Sequence, residues 1–191
     1  MNTYDAIMAR RSIRSFRSDV LPSDAIERIL SAATRAPSGK NRQPWKFIVV
    51  RENKRAEMID ILRKTLVAWE ERGDDTGSAK WTANVMETAQ VTIFVLNPDG
   101  VDPWEPHTID QQFQELVDVQ SIGAAIQNML LTAQELGIGS LWICDVLYAS
   151  TELKEWLGEK GEMIAAISFG LSAESPTARP RKPMDEVVRE L

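Results

Sequence analysis

The chain has 191 residues, of which 43% are hydrophobic and 26% are charged, and its formal net charge is −6. This length suits one globular unit, so we expect a single domain over residues 1–191 that buries roughly two-thirds of its unfolded surface. The acidic balance argues against nucleic-acid binding, which usually needs a broad basic face, and no run of about 18 apolar residues is present to span a membrane.

The first half of the chain predicts three helices around one strand. Residues 3–12 predict a short helix that ends in arginines, and residues 22–36 predict a second helix with one apolar face. The turn-forming sequence PSGKNRQP at 37–44 ends this helix. WKFIVV at 45–50 is typical of a buried strand, and apolar residues at helical spacing predict a long helix over 54–72.

The second half of the chain alternates helices with strands. The predicted elements are a helix at 80–89, a strand at 91–96, a helix at 112–137, strands at 140–144 and 163–170 on either side of a helix at 151–158, and a last helical turn within 184–191. Strands separated by helices, without a tight hairpin signal, predict an α/β or α+β fold with a central sheet flanked by helices.

The helix at 112–137 carries the strongest architectural signal. Its second half, IGAAIQNMLLTAQELG, is apolar around most of its circumference. Such a helix must be buried on nearly all sides, although Gln127, Asn128 and Gln134 interrupt it. A central helix, shared with a second subunit, would account for this pattern.

Two residue counts narrow the chemistry. The chain has one cysteine, Cys144, and one histidine, His107. These counts exclude an internal disulfide, a zinc ligand set and most Ser–His–acid triads, so we predict no metal site. Cysteine usage and the missing secretory signal predict a cytoplasmic protein. An enzyme of this composition would take its difficult chemistry from a cofactor.

Two basic segments lie at opposite ends of this acidic chain, RRSIRSF at 10–16 and SPTARPRKP at 175–183. Closely spaced guanidinium groups repel one another unless water or an anion separates them, and their paired N–H donors suit phosphate oxygens. Both segments could therefore converge on one phosphate. The alternative is that both are solvated, the first at a helix end where the helix dipole favours cations. No Rossmann or P-loop motif is present, so side chains would have to hold the phosphate of a mononucleotide-like ligand.

Two other segments could face a ligand. In PSGKNRQPW at 37–45, Ser38, Asn41 and Gln43 could bind the polar edge of a heterocycle, or the segment could be a plain polar turn. In GIGSLWICD at 137–145, the end of a strand could present backbone N–H groups. Cys144 is more typical of a small buried residue than of a nucleophile, and Trp142 is expected in the core.

Four segments in this order resemble the nitroreductase family of FMN-dependent oxidoreductases: RRSIRSF, APSGKNRQPWKFIVV, QNMLLTAQELGIGSLWI and RPRKP. They span essentially the whole chain and match the compact members of the family. The resemblance implies a three-layer α+β fold with a mixed central sheet flanked by helices and a buried central helix. It also implies a homodimer with two flavin sites at its interface.

The resemblance implies an activity as well. FMN would take hydride from NADH or NADPH and reduce nitroaromatics, quinones or a similar small-molecule electron acceptor by a ping-pong mechanism. Alternatives are an FMN enzyme of the same fold with a dedicated metabolite reaction (dehalogenation, dehydrogenation or flavin cleavage), or a non-catalytic flavin-binding module. The motifs do not distinguish NADH from NADPH.

The resemblance further assigns FMN contacts by position, and no residue is assigned a catalytic role. The N-terminal motif, implied to contact the phosphate, ribityl chain and pyrimidine edge, contributes Arg10, Arg11, Ser12 and Arg14. The segment implied to reach the neighbouring subunit's flavin contributes Pro37, Ser38, Gly39 and Asn41, followed in the same motif by Gln43. The position facing flavin N5 is occupied by Ile143 and Cys144, and the C-terminal phosphate contacts by Arg179 and Arg181. Lys80 and Asn84 depart from the family spacing and are not assigned.

Overall fold

Seven α-helices surround a four-stranded sheet in the computed structural model, which describes all residues from 1 to 191. The helices are α1 (Thr3–Ala9), α2 (Ala25–Ala33), α3 (Glu52–Glu71), α4 (Ala79–Thr88), α5 (Ile109–Glu135), α6 (Ser150–Leu157) and α7 (Met184–Val187). The strands are β1 (Lys46–Arg51), β2 (Val91–Asn97), β3 (Gly139–Ile143) and β4 (Glu162–Gly170). Short 3-10 helices cover Gly39–Asn41 and Asp145–Ala149. The predicted α+β class is confirmed.

The strands lie in the order β1-β2-β4-β3, and all three neighbouring pairs are antiparallel. We expected a mixed sheet, but parallel pairing is confined to one bridge between Ser12 and Ser140. The connections explain the difference. Two helical segments join β1 to β2, and two join β3 to β4. An even number of helices returns the chain in the opposite direction, so these neighbours run antiparallel.

The sheet carries one hydrophobic core on each face, which gives three layers. Alternate residues of β2 supply both cores, because successive side chains of a strand point to opposite faces. Ile93 packs with α2 and α5, whereas Phe94 packs with α3, α4 and α6, and both residues are fully buried. A sheet covered on both sides explains why all seven residues of β2 are buried.

The long helix α5 begins with a capping box, in which Thr108 and Gln111 satisfy each other's backbone N–H groups. Its second half is buried against the sheet, for example at Ile122, Ile126 and Met129. Its first half exposes large apolar side chains instead: Ile109, Phe113, Leu116, Val117 and Val119. The predicted burial of this helix therefore holds for the second half, and the first half leaves an apolar surface uncovered.

The tail after β4 runs along the surface, and its last residues, from Arg179 to Leu191, are all exposed. Among the helices of this chain, none has the length and apolar character needed to cross a membrane.

Candidate functional site

Backbone hydrogen bonds attach the N-terminal arginine motif to the edge of the sheet. The Ile13 N–H donates to the Ser140 carbonyl at 2.9 Å, and the Arg17 N–H donates to the Leu171 carbonyl at 2.8 Å. Ile13 and Phe16 are buried in the core on one side of this segment. The segment is thereby fixed to β3 at one end and to the residue after β4 at the other.

The C-terminal tail is fixed to the same segment. The Glu174 carboxylate accepts hydrogen bonds from the backbone N–H groups of Arg14 and Ser15, the second at 3.1 Å. The Ala173 N–H donates to the Ser15 carbonyl at 2.9 Å. These bonds carry the tail arginines to the N-terminal motif, although the two lie at opposite ends of the sequence.

The two basic segments line one cavity of about 510 Å³. Its lining residues are Ile7, Met8, Arg10, Arg11, Ser12, Arg14, Gln127, Pro176, Thr177, Ala178, Arg179 and Arg181. Five of them are arginines and none is acidic. None of the five forms a salt bridge within the chain, whose arginine salt bridges involve other residues. The cavity is therefore an uncompensated cationic site.

The charges in this cavity perturb one another. Burial, followed by the nearby Arg181 and Arg11 charges, lowers the pKa of Arg10. Arg11 is oriented by its Nη1, which donates to the carbonyls of Met8 at 2.7 Å and Arg10 at 2.8 Å. The Arg14 guanidinium lies 5.8 Å from the Trp81 ring centroid, within cation–π range. An anion in the cavity would relieve the repulsion among these cations.

Gln127 also belongs to this site, although its position in the sequence did not predict this role. Gln127 lies on α5 and lines the basic cavity. The available signal was that it interrupts an otherwise apolar helix, which can mark a polar side chain facing a cavity.

The segment of Pro37–Gln43 packs against the exposed half of α5. The Gly39 N–H lies 3.3 Å from the Ser121 hydroxyl oxygen, which accepts its hydrogen bond, and a Cβ at Gly39 would lie 2.3 Å from Val117 Cγ1. Any larger residue at this position would have to displace the Val117 side chain. The segment also contains all three non-glycine residues with positive φ, Lys40, Asn41 and Gln43, at 52°, 55° and 52°. Such strained backbone often marks a functional site.

Within one chain this segment is separate from the basic cavity. None of its residues lines that cavity. Gly39 instead borders an open cleft together with Asp110 and Phe113. One chain therefore does not bring the Pro37–Gln43 segment to the arginines.

Ile143 and Cys144 lie at the end of β3, near Ser140, whose carbonyl holds the arginine motif. Ile143 is buried, but Cys144 is exposed and Trp142 keeps 38% of its surface accessible, so the expected burial of these last two residues is wrong. Desolvation, then the Asp145 charge, raises the pKa of the Cys144 thiol, and the Trp142 indole N–H offsets part of this effect. Cys144 is therefore a neutral thiol at neutral pH, not an activated nucleophile.

Lys80 and Asn84 make contacts outside the basic cavity. Lys80 pairs with Glu70, and the Asn84 side-chain oxygen accepts a hydrogen bond from Arg63 at 2.8 Å. Neither residue lines the cavity.

A larger cleft of about 740 Å³ lies elsewhere on the molecule. Its charged lining residues are Arg51, Glu52, Arg55 and Glu87. Two acids balance two bases, so this cleft lacks the charge excess that distinguishes the basic cavity.

The sequence model described as "Nitroreductase family" matches residues 7–171 of the chain. Among curated proteins, "Putative NAD(P)H nitroreductase YfhC" of Bacillus subtilis is 29% identical over 191 residues, which cover 98% of this chain and 93% of that protein. Among solved structures, the "putative nitroreductase in complex with FMN" of Desulfovibrio desulfuricans has a TM-score of 0.77 at 28% identity and covers 100% of this chain and 97% of its own. The "BluB-like flavoprotein" of Clostridium difficile 630 has a TM-score of 0.79 at 29% identity, with coverage of 100% and 99%.

Proposed function

Because the chain belongs to the nitroreductase family, we propose that it is an FMN-dependent oxidoreductase that takes hydride from NADH or NADPH. It passes the electrons to nitroaromatics, quinones or similar small acceptors by a ping-pong mechanism. The observation that carries this proposal is the cavity lined by five arginines and no acid. The relatives named above, one called an NAD(P)H nitroreductase and one containing FMN, support the choice of donor and cofactor.

The residues of the basic cavity fit the phosphate end of FMN. A phosphate monoester carries about 1.5 to 2 negative charges at pH 7, and no side chain here neutralises the arginines. Burial, and after it the charges of Arg181 and Arg11, lowers the pKa of Arg10, and a bound anion would offset both effects. The volume of about 510 Å³ lies within the usual range for ligand sites. In this assignment Arg10, Arg179 and Arg181 hold the phosphate through charge-assisted hydrogen bonds.

FMN supplies the hydride chemistry when bound. The chain has to orient the ring, leave one face open and stabilise the negative charge that a reduced flavin carries near its pyrimidine edge. Arg14, fixed by its backbone bond to Glu174 and by the Trp81 ring, is suited to that electrostatic role. No side chain has to act as an acid or base, which agrees with a chain that has one histidine.

We further propose that residues 1–191 form one domain and that two copies form a homodimer with shared sites. The Pro37–Gln43 segment would then contact the flavin held by the arginines of the partner subunit. Two observations support this arrangement. The segment is separate from its own chain's basic cavity, and it lies beside the exposed apolar half of α5. A second copy would cover that surface and supply Lys40 as another cation near the flavin.

A dedicated metabolite reaction is the second candidate. The observation in its favour is the similarity to the BluB-like flavoprotein, at 29% identity and a TM-score of 0.79. The FMN-containing nitroreductase relative has nearly the same values, 28% and 0.77. A narrow acceptor profile in steady-state assays would favour this candidate over a general nitroreductase.

The visible spectrum of the purified protein tests the proposed function. We expect a yellow protein with about one FMN per chain, whose flavin absorbance bleaches rapidly under anaerobic conditions when NADH or NADPH is added. A protein that binds no added FMN contradicts the whole proposal. Bound FMN that neither nicotinamide reduces would instead indicate a non-catalytic flavin-binding module.

A further inference from the structure

The C-terminal tail leaves the sheet by running beside the N-terminal arginine motif. Phe16 and Ser172 form an isolated antiparallel bridge, and the Ala173 N–H donates to the Ser15 carbonyl at 2.9 Å. The Ser172 hydroxyl donates to the Glu174 carbonyl at 2.5 Å and accepts a hydrogen bond from the Glu174 N–H at 3.2 Å. These bonds hold the backbone of Glu174 in a turn next to the motif.

One oxygen of the Glu174 side chain makes both of its bonds to the motif. Oε1 accepts hydrogen bonds from the backbone N–H groups of Arg14 and Ser15, the second at 3.1 Å. The residue is exposed, and its carboxylate forms no salt bridge with any arginine of the chain. The carboxylate therefore joins two segments of backbone and does not pair with the guanidinium groups of the cavity.

The hydrogen bonds between the tail and the rest of the chain end at Glu174. The backbone bonds beyond it run from the Glu186 N–H to the Pro183 carbonyl and from the Val188 N–H to the Met184 carbonyl, so they stay within the tail. No salt bridge of the chain involves a residue after Glu174. Glu174 is thus the last polar attachment before the tail reaches the basic cavity.

The short segment that follows transmits this attachment to the cavity. Pro176 and Pro180 fix the backbone φ and make the segment semi-rigid. Arg179 and Arg181 follow Glu174 within seven positions, and both line the basic cavity. A change in the attachment at Glu174 would therefore move both arginines together.

We propose that Glu174 is a positioning residue for the FMN phosphate, because its carboxylate oxygen fixes the tail with Arg179 and Arg181 at the cavity. This inference rests on the proposed function, in which the basic cavity holds the FMN phosphate. Glu174 acts through the two arginines and does not contact the flavin itself. Without its bonds to Arg14 and Ser15, FMN would have to order the tail on binding, which lowers the affinity.

Two other roles of Glu174 would give different results. If the carboxylate only stabilises the N-terminal motif, its loss weakens FMN binding whether or not the tail arginines are present. If its negative charge only repels the phosphate, its removal strengthens FMN binding. The positioning role requires both an acceptor oxygen at the right reach and the arginines that follow it.

The test measures the Kd of FMN for the apoproteins of the wild type and three variants by flavin fluorescence titration. Glu174→Ala removes the acceptor, Glu174→Asp keeps the charge but shortens the side chain, and Glu174→Gln keeps one acceptor oxygen at the same reach. We expect the Kd to rise roughly 3- to 30-fold in the Ala and Asp variants and to stay within about threefold of the wild type in the Gln variant. Glu186→Ala is the matched control, because it removes an exposed carboxylate of the same tail and should leave the Kd unchanged.

The decisive comparison repeats Glu174→Ala in a chain that also carries Arg179→Ala and Arg181→Ala. If Glu174 acts through these arginines, its substitution should raise the Kd by less than about twofold in that background. A further rise as large as in the wild-type background would overturn the inference in favour of a role in the N-terminal motif.

Tighter FMN binding by both Glu174→Ala and Glu174→Gln would overturn the inference in favour of simple repulsion, and so would an unchanged Kd in the Ala and Asp variants. If Glu174→Ala does not fold, Glu174→Asp replaces it in both backgrounds, because it retains the charge and loses one methylene. Failure of the wild type to bind FMN would contradict the proposed function itself, and is therefore distinguishable from failure of this inference.

Discussion

At the scale of single residues, the cationic cavity places groups of like charge together without a partner. Arg10 is the member whose pKa is lowered, by burial and by the Arg181 and Arg11 charges. Such an arrangement costs folding free energy, and binding of a dianion would offset that cost. Binding of an anionic ligand therefore explains this group of arginines better than a contribution to the stability of the free chain does.

Alanine substitution of Arg10 or Arg181 should therefore weaken FMN binding more than folding. Each change removes a charge-assisted contact worth about 1.5–3 kcal/mol, which is roughly tenfold to a hundredfold in affinity. Titration of the apoprotein with FMN measures the loss, and thermal unfolding without FMN should show no loss of stability, because each change relieves repulsion within the cluster. Arg17→Ala is the matched control, because Arg17 pairs with Asp19 outside the cavity. If both variants bind FMN with wild-type affinity, the two arginines are only solvated surface charges.

Glu162 is a second residue in an unfavourable electrostatic setting. Burial, followed by the Glu115 and Asp102 charges, raises the pKa of Glu162 to about 7, and His107 and Asn97 offset part of the effect. The neighbouring Lys154 already pairs with Asp102 at 2.5 Å. The unfolded chain binds this proton less tightly, because an ordinary Glu has a pKa of about 4.3. Stability should therefore decrease as pH rises from about 4.5 to 7, and stay reduced above 7.

Glu162→Gln should remove this pH dependence. With allowance for solvent screening at a partly exposed site, the variant should gain about 1–2 kcal/mol in the free energy of unfolding at pH 8 and almost nothing at pH 4. Urea unfolding of both proteins across this pH range is the measurement. Glu152→Gln, at an exposed position of α6, is the control and should change little. An equal gain at both pH values would show that the carboxylate charge is not the cause.

At the scale of structural elements, the Pro37–Gln43 segment depends on α5 for its conformation. Asp118 of α5 is 2% exposed, and its two oxygens contact Gln114 at 2.9 Å and the Arg42 guanidinium at 3.4 Å. Together with the Ser121 bond to Gly39, these contacts hold backbone that includes three residues in the left-handed region. Side chains of the helix thus hold the strained segment in place.

Asp118→Asn should accordingly lower the free energy of unfolding by about 1–3 kcal/mol, because it removes the buried one of the two carboxylates that pair with Arg42. The chain offers a matched control in Asp99→Asn. Asp99 lies 3.8 Å from the same guanidinium but is 78% exposed, so its loss should cost less than about 1 kcal/mol. Urea unfolding measures both. Equal effects of the two substitutions would show that burial of Asp118 does not matter for holding the segment.

At the scale of the whole molecule, one chain carries the two parts of the proposed FMN site on separate surfaces. The arginines line the basic cavity, and the Pro37–Gln43 segment borders a different cleft beside exposed Phe113. The proposed homodimer makes a site complete by combining the cavity of one subunit with the segment of the other.

This arrangement predicts complementation between two damaged chains. One chain carries Arg10→Ala and Arg14→Ala, the other carries Ser38→Ala and Asn41→Ala, and the two are unfolded and refolded together. In a heterodimer one site then receives all four substitutions and the other receives none, so NADH- or NADPH-driven reduction should rise well above either parent. If each site lies within one chain, no rescue occurs. A flavin-containing monomer of 21.4 kDa in sedimentation would also exclude the shared site.

The sequence by itself determined the elements, and it predicted the residue types of the proposed site. Helical and strand periodicities depend on local spacing, so the predicted elements from α2 to β4 are present with boundaries shifted by a few residues. The excess of arginine at both ends of an acidic chain indicated a phosphate site, and its motifs indicated the family.

The tertiary structure decided which of these parts meet. Strand direction followed from the number of helices in each connection, so the expected mixed sheet is antiparallel among its four strands. Gln127 reached the cavity, and Trp142 kept 38% of its surface accessible although it pairs with Ile167, which is buried against α2 and α5. Periodicity reports which side of an element is buried, but the neighbour on that side is chosen by packing of the whole chain. Residues distant in sequence therefore become one site only through contacts that no local pattern encodes.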